Sequence, residues 1–161
     1  MAKPYIDLHL HTRFSDGVST PEQVAEEAER MELAAIALTD HDTIEGCSRL
    51  AKACASRGIE FIPGTELSTD IDGHEMHLLG YHIDTDNEEL IRETTRYQQN
   101  RTDRVHGLIE RLNSIGVPLA AEQVFTLANC KAPGRPHVAR ALVEHGFCGS
   151  MDEAFARYLR K

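Results

Sequence analysis

Three short apolar runs open the chain: IDLHLH from residue 6, AAIALTDHD from residue 34 and IEFIPGTE from residue 59. Two stretches of helical spacing separate them. An order of strand, helix, strand, helix, strand is satisfied by a parallel sheet whose crossovers are right-handed. In the first run Ile6, Leu8 and Leu10 alternate with Asp7, His9 and His11. Side chains on a strand take opposite faces with a period of two, so His9 and His11 share the face that the apolar set leaves. The first helix starts at Thr20 as N-cap, with Pro21 at the first helical position and Gln23 completing a capping box. Val24, Ala25, Ala28 and Met31 form its apolar stripe. The second run is continuous and apolar, as a buried parallel strand reads. Thr43 is predicted to start a second helix, which runs through Leu50 and Ala53 and ends at Gly58.

Beyond residue 64 the pattern changes. TELSTDIDGHEMHLLGYHI reads as a hairpin turning at Asp72-Gly73. From residue 86 the chain reads as helical: a long helix opened by an Asp86–Glu89 capping box and closed by Gly116, a shorter one over 122–128, one from Pro136 to Gly146, and a last one capped by Ser150 with Glu153. The reading divides the chain into an α/β portion over residues 1–83 and a helical portion over 84–161.

The formal charge of −9 argues against a protein that coats nucleic acid or an anionic membrane, and no duplex DNA binding is expected. It leaves room for a phosphorylated substrate, because bound cations invert the local field. No apolar run approaches ~18 residues, which predicts a soluble, cytoplasmic chain. Cys47, Cys54, Cys130 and Cys148 form no CxxC pair and read as reduced thiols.

Residues able to hold a metal collect at the carboxyl ends of the predicted strands: His9 and His11 with Asp16 in the loop beyond, Asp40 and His41, then Glu66. That edge is where sites form in parallel α/β folds. The hairpin adds a register test. With Asp72-Gly73 at the turn, Glu66 faces Leu79 and Ser68 faces His77, so Glu66 and His77 are diagonal neighbours on one face, about 5–8 Å apart at Cβ. Leu67, Met76 and Leu78 fall on the other face as an apolar backing, and a one-residue slip would exchange the two faces. Imidazoles and carboxylates without thiolates suit manganese, iron or zinc. His74 and His82 read as surface or packing residues, and His106 and His145 as helix-borne structural or solvent-facing ones. Arg135, before a proline-initiated helix, is placed either to clamp a phosphate or to pair with a nearby carboxylate. Asn100 and Arg101 read as part of a solvated helix face.

In order and spacing, HLHTRFSDG, LTDHDT, PGTELS and HLLGY resemble the successive motifs of the PHP (polymerase and histidinol phosphatase) metal-dependent phosphoesterases. The stretch ending in GRPHVARAL resembles a small helical insertion found in a stand-alone branch of that family, whose members act on nucleoside 3′,5′-bisphosphates and short 5′-phosphorylated RNA. The resemblance implies a distorted seven-stranded (βα) TIM-like barrel, of which this chain carries the first half with the inserted helical domain. The remaining half, with a later histidine and an Asp-x-His pair among the ligands, would come from a longer native chain.

The same resemblance implies two or three divalent ions, with manganese favoured over iron or zinc. His9, His11 and Glu66 would hold one, Glu66 and His77 a second with Glu66 bridging, and Asp16 with His41 a third; Asp40 would stand behind the ligands. Glu66, His41 and Asp16 would thereby serve catalysis, and Arg135 and Asn100 would bind the substrate. The implied reaction is phosphomonoester hydrolysis by a metal-bridging hydroxide, on a small phosphorylated nucleotide or short RNA. The alternatives are a non-catalytic metal- or nucleotide-binding PHP module and a histidinol-phosphatase-like phosphomonoesterase.

Overall fold

The computed structural model describes residues 5–160. The predicted α/β and helical portions each reach beyond that range, over residues 1–4 and at Lys161, which lie outside the described residues. Strand β1 (Tyr5–Leu10) leads into helix α1 (Pro21–Arg30), β2 (Leu33–Leu38), α2 (Cys47–Ala55), β3 (Glu60–Ile71) and β4 (His74–Tyr81). Helices α3 (Glu88–Ser114), α4 (Ala121–Ala128), α5 (Arg135–Glu144) and α6 (Met151–Ala154) follow, and α6 widens into a π-helical turn over Phe155–Leu159.

The sheet runs β1-β2-β3-β4, with the first three strands parallel and β4 antiparallel to β3. Strand β3 serves two neighbours in succession. Residues 60–63 pair with β2, and residues 64–71 pair with β4. The sheet curls far enough that the Tyr81 hydroxyl on β4 donates to the Leu8 carbonyl on β1 at 2.9 Å. This is a curled half-barrel, and it brings strand ends together around one concave edge. The hairpin turns at Asp72-Gly73, where φ is +54° and +78°, a left-handed pair that suits an Asp-Gly sequence.

Apolar side chains gather in two cores. Ile36, Leu38 and Leu50 centre the one between β2 and helices α1 and α2. Val105, Leu112, Leu119, Val138, Leu142 and Leu159 belong to the other, among the later helices. The α1 cap forms as expected: the Thr20 side chain accepts from Gln23 N–H, and the Gln23 side chain accepts from Thr20 N–H. Ser150 likewise caps Glu153.

Four expectations change. Helix α2 starts at Cys47, not Thr43, because Asp42 takes a positive φ of 52° and is held at the sheet edge, its N–H donating to the Glu66 carbonyl. Asn87, not Asp86, caps α3; its side chain accepts from Leu90 N–H at 2.9 Å. Ile6 is more than half exposed, since β1 has a strand on one side only. Met76 and Leu78 share the face away from Glu66 as predicted, but they are 50% and 60% exposed and back nothing among the described residues.

Candidate metal centre

Glu66 sits where β3 leaves β2 for β4, and its position is set by backbone. Its N–H donates to the Asp40 carbonyl at 3.1 Å, and its own carbonyl accepts from Asp42 N–H at 3.0 Å. The side chain is buried and surrounded by imidazoles. Oε2 lies 2.9 Å from His9 Nε2, 3.2 Å from His11 Nε2 and 3.6 Å from His41 Nδ1, while Oε1 lies 2.6 Å from His77 Nδ1. The rings follow one another around the carboxylate, with centroids 5.0 Å apart for His9 and His11, 4.7 Å for His11 and His41, and 4.9 Å for His41 and His77. Asp16 joins from the β1–α1 loop, 3.6 Å from both His11 Nδ1 and His41 Nε2.

Three groups of donor atoms are each compact enough for one cation: His9, His11 and Glu66; His11, Asp16 and His41; and His41, Glu66 and His77. The first is the grouping that the motifs imply. The other two draw in His11 and His41 as shared members. Two further observations fit a divalent cation here. The Nδ1 of His41 is buried with no hydrogen-bond partner, which is costly unless something fills the gap. The donor set is nitrogen and oxygen throughout, suited to a borderline or hard metal. Burial and, secondarily, the Arg101 charge push His41 down to about 4, so it is a neutral imidazole at ordinary pH with a lone pair to offer a cation. Burial alone would raise Glu66, but hydrogen bonds to His9 and His77 and the neighbouring His41 and His11 outweigh it and hold the carboxyl below its usual range.

Asp40 lies beneath the loop and not on the donor cluster. It accepts from Thr12 N–H at 2.6 Å, from Thr12 Oγ1 at 2.5 Å and from Ser15 Oγ at 2.7 Å, fixing the turn that presents Asp16. Helix α5 holds the same loop from outside, with Arg140 Nη2 donating to the Asp16 carbonyl at 2.5 Å. The buried His137 accepts from Gly134 N–H at 3.0 Å, and burial pushes it down to about 4.

The two expected substrate residues fall in different places. Arg135 lines a recess of about 140 Å³ together with Asp16, His41 and His77, and its Nη2 is 3.1 Å from Glu75 Oε2. Asn100 is exposed on the rim of a neighbouring cavity of about 410 Å³ and does not reach the donor cluster. Arg101, read as solvated, is buried: it forms an ion pair with Asp42, and its Nη2 donates to Ser68 Oγ at 2.8 Å. Asp42, Glu75, Arg104, His137 and Arg140 escaped the sequence reading. The alternation in HEMH was a usable signal for Glu75, since it sets residues 75 and 77 on one face; Asp42, Arg104 and Arg140 have partners remote in sequence, while His137 bonds locally to Gly134. His74, His82, His106 and His145 are exposed, as expected. The four cysteines are free. Among the described residues no helix is long and apolar enough to cross a membrane.

The chain is similar to a set of bacterial proteins. It is 36% identical over 157 residues to the 5′-3′ exoribonuclease Rnm of Escherichia coli, covering 96% of this chain and 54% of that one. It is 34% identical over 155 residues to the 3′,5′-nucleoside bisphosphate phosphatase of Chromobacterium violaceum, again covering 96% and 54%. A solved structure described as a metal-dependent phosphoesterase, from Bifidobacterium adolescentis, superposes with a TM-score of 0.89 at 30% identity, covering 99% of this chain and 56% of that one. The chain thus spans about half the length of the relatives it matches. The PHP domain family matches residues 7–155, across the four strands and the donor cluster they carry, and the chain belongs to that family.

Proposed function

We propose that this chain carries the metal-binding portion of a phosphoesterase that removes the 3′-phosphate of nucleoside 3′,5′-bisphosphates and also acts on short 5′-phosphorylated RNA. The observation that supports this most is the buried Glu66 carboxylate with four imidazole nitrogens within 3.6 Å. Such a cluster is held together at little cost only if cations are shared among its members. Two or three divalent ions, manganese foremost, would be held by His9, His11, Asp16, His41, Glu66 and His77. When bound they would lower the pKa of a water and draw charge from the phosphate oxygens. Arg135 would grip the phosphate from the recess beside His41, and Asn100 would contact the nucleotide from the adjoining cavity. The names of the Escherichia and Chromobacterium relatives support this substrate class. The helices from α3 onward would form a domain inserted in a (βα) barrel completed by a longer cytoplasmic chain.

Metal content by elemental mass spectrometry, followed by phosphate release from adenosine 3′,5′-bisphosphate, tests this reading. Two or three equivalents are expected, with manganese-dependent release lost in Glu66→Gln. If the chain takes up no metal, the reading fails.

A further inference from the structure

Glu75 lies on β4 opposite Asp70, one pleat from His77 and on the same face of the hairpin. Its carboxylate is where three elements meet. Oε1 accepts from Arg104 Nη1 of α3 at 2.6 Å, Oε2 stands 3.1 Å from Arg135 Nη2 of α5, and Oε1 is 3.6 Å from His77 Nε2. His77 turns its other nitrogen, Nδ1, toward Glu66. The ring is therefore spanned, with Glu66 and the donor cluster on one side and Glu75 on the other. Glu75 Oε1 is the carboxylate oxygen that stands off the Nε2 side of the ring, at 3.6 Å.

A histidine that ligates through one nitrogen gains basicity and a fixed orientation when its other N–H faces a carboxylate. We infer that Glu75 is a positioning residue for the metal centre: it receives the Nε2–H of His77, so that Nδ1 presents its lone pair to the centre, and Arg104 and Arg135 hold the carboxylate in that place. The contact needs a shift of well under 1 Å to become a hydrogen bond, which the ring can make when Nδ1 turns from Glu66 to a cation. Glu75 thereby ties the helical part of the chain to one ligand of the cluster. Its guanidinium partners are fixed in turn, so the Arg135 head group is aimed at the recess and not free to wander. This inference rests on the metal-centre reading above.

Zinc titration by calorimetry, on the whole chain and on Glu75→Ala and Glu75→Gln, tests it. Zinc affinity of one equivalent should fall about 10–100-fold in Glu75→Ala. Glu75→Gln should recover most of it, because the amide oxygen still accepts from Nε2–H. In the zinc-loaded protein, 15N-detected NMR should show a slowly exchanging His77 Nε2–H in the parent and in Glu75→Gln, and a fast-exchanging one in Glu75→Ala. Parent-like zinc affinity in Glu75→Ala overturns the inference while leaving the centre intact, as does a lower unfolding temperature with unchanged affinity, which marks a packing role. A parent chain that takes no zinc removes the metal-centre reading itself.

Discussion

Arg101 of α3 and Asp42, the residue after His41, form a buried ion pair that joins the long helix to the sheet edge. Ser68 closes the arrangement. Its N–H and hydroxyl donate to the two Asp42 carboxylate oxygens at 2.8 Å each, and its hydroxyl also accepts from Arg101. Gln98 adds a donor to the Asp42 carbonyl at 3.1 Å. Removing one partner leaves the other charge buried and uncompensated, which costs roughly 3–5 kcal/mol. Arg101→Ala should therefore lower the unfolding free energy by that amount, seen as a lower denaturant midpoint with little change in slope. A loss under about 1 kcal/mol would show that water reaches the pair.

Metal removal should be read directly in stability. A ligand that binds the folded chain alone, at a hundredfold excess over its dissociation constant, stabilises by about 2.7 kcal/mol. For a chain of this length that corresponds to roughly 5–10 °C. Manganese or zinc should raise the unfolding temperature by this order, and a chelator should reverse it. Glu66→Ala should remove most of the shift, since Glu66 belongs to two of the three donor groups. A full shift in that variant would place the cations elsewhere.

Acid should weaken the metal-free fold before the carboxylates titrate. Burial lowers His137 from 6.5 to about 4 in the folded chain, so the unfolded chain takes up the proton first. Between those values the unfolded state binds more protons, and stability falls as pH falls, by up to about 3 kcal/mol for this group. His41, lowered to about 4 by burial, contributes with the same sign. His137→Asn keeps an acceptor for the Gly134 N–H and should flatten part of the slope. An unchanged slope between pH 6.5 and 4 would assign it to other groups.

The Asp16 loop should tolerate no side chain at Gly17. A Cβ there would stand 2.5 Å from the His11 carbonyl oxygen and 2.7 Å from its carbon, both backbone atoms that cannot yield alone. Gly17→Ala should cost about 1–3 kcal/mol, as overpacking does, and should weaken one metal equivalent by opening the turn that carries Asp16. Circular dichroism melts and metal counting follow both effects. Wild-type values in each would show that the loop relaxes freely.

Much of the donor cluster was legible because its placement is local. Period-two alternation set His9 and His11 on one face, and the Asp72-Gly73 turn fixed the register that pairs Ser68 with His77 and Glu66 with Leu79. Chain direction put His41 and Glu66 at neighbouring strand ends, where they form a parallel bridge. Arg101 was misread for the opposite reason. Helical spacing alone cannot show that its partner Asp42 lies on a strand end 59 residues earlier. The α2 start was misjudged likewise: Thr43 suits an N-cap, yet the residues around it are committed to Glu66 and Ser68.

Periodicity and turn chemistry, which act within a few residues, were enough to give the strands, the hairpin register and a pool of candidate donors at the strand ends that still included Asp40. The use of the arginines came from tertiary packing. It set Arg101 on Asp42 and Arg104 with Arg135 on Glu75, and it left Met76 and Leu78 exposed. Charge pairing and burial depend on which surfaces the curled sheet and the helices bring together, and no local pattern encodes that distance.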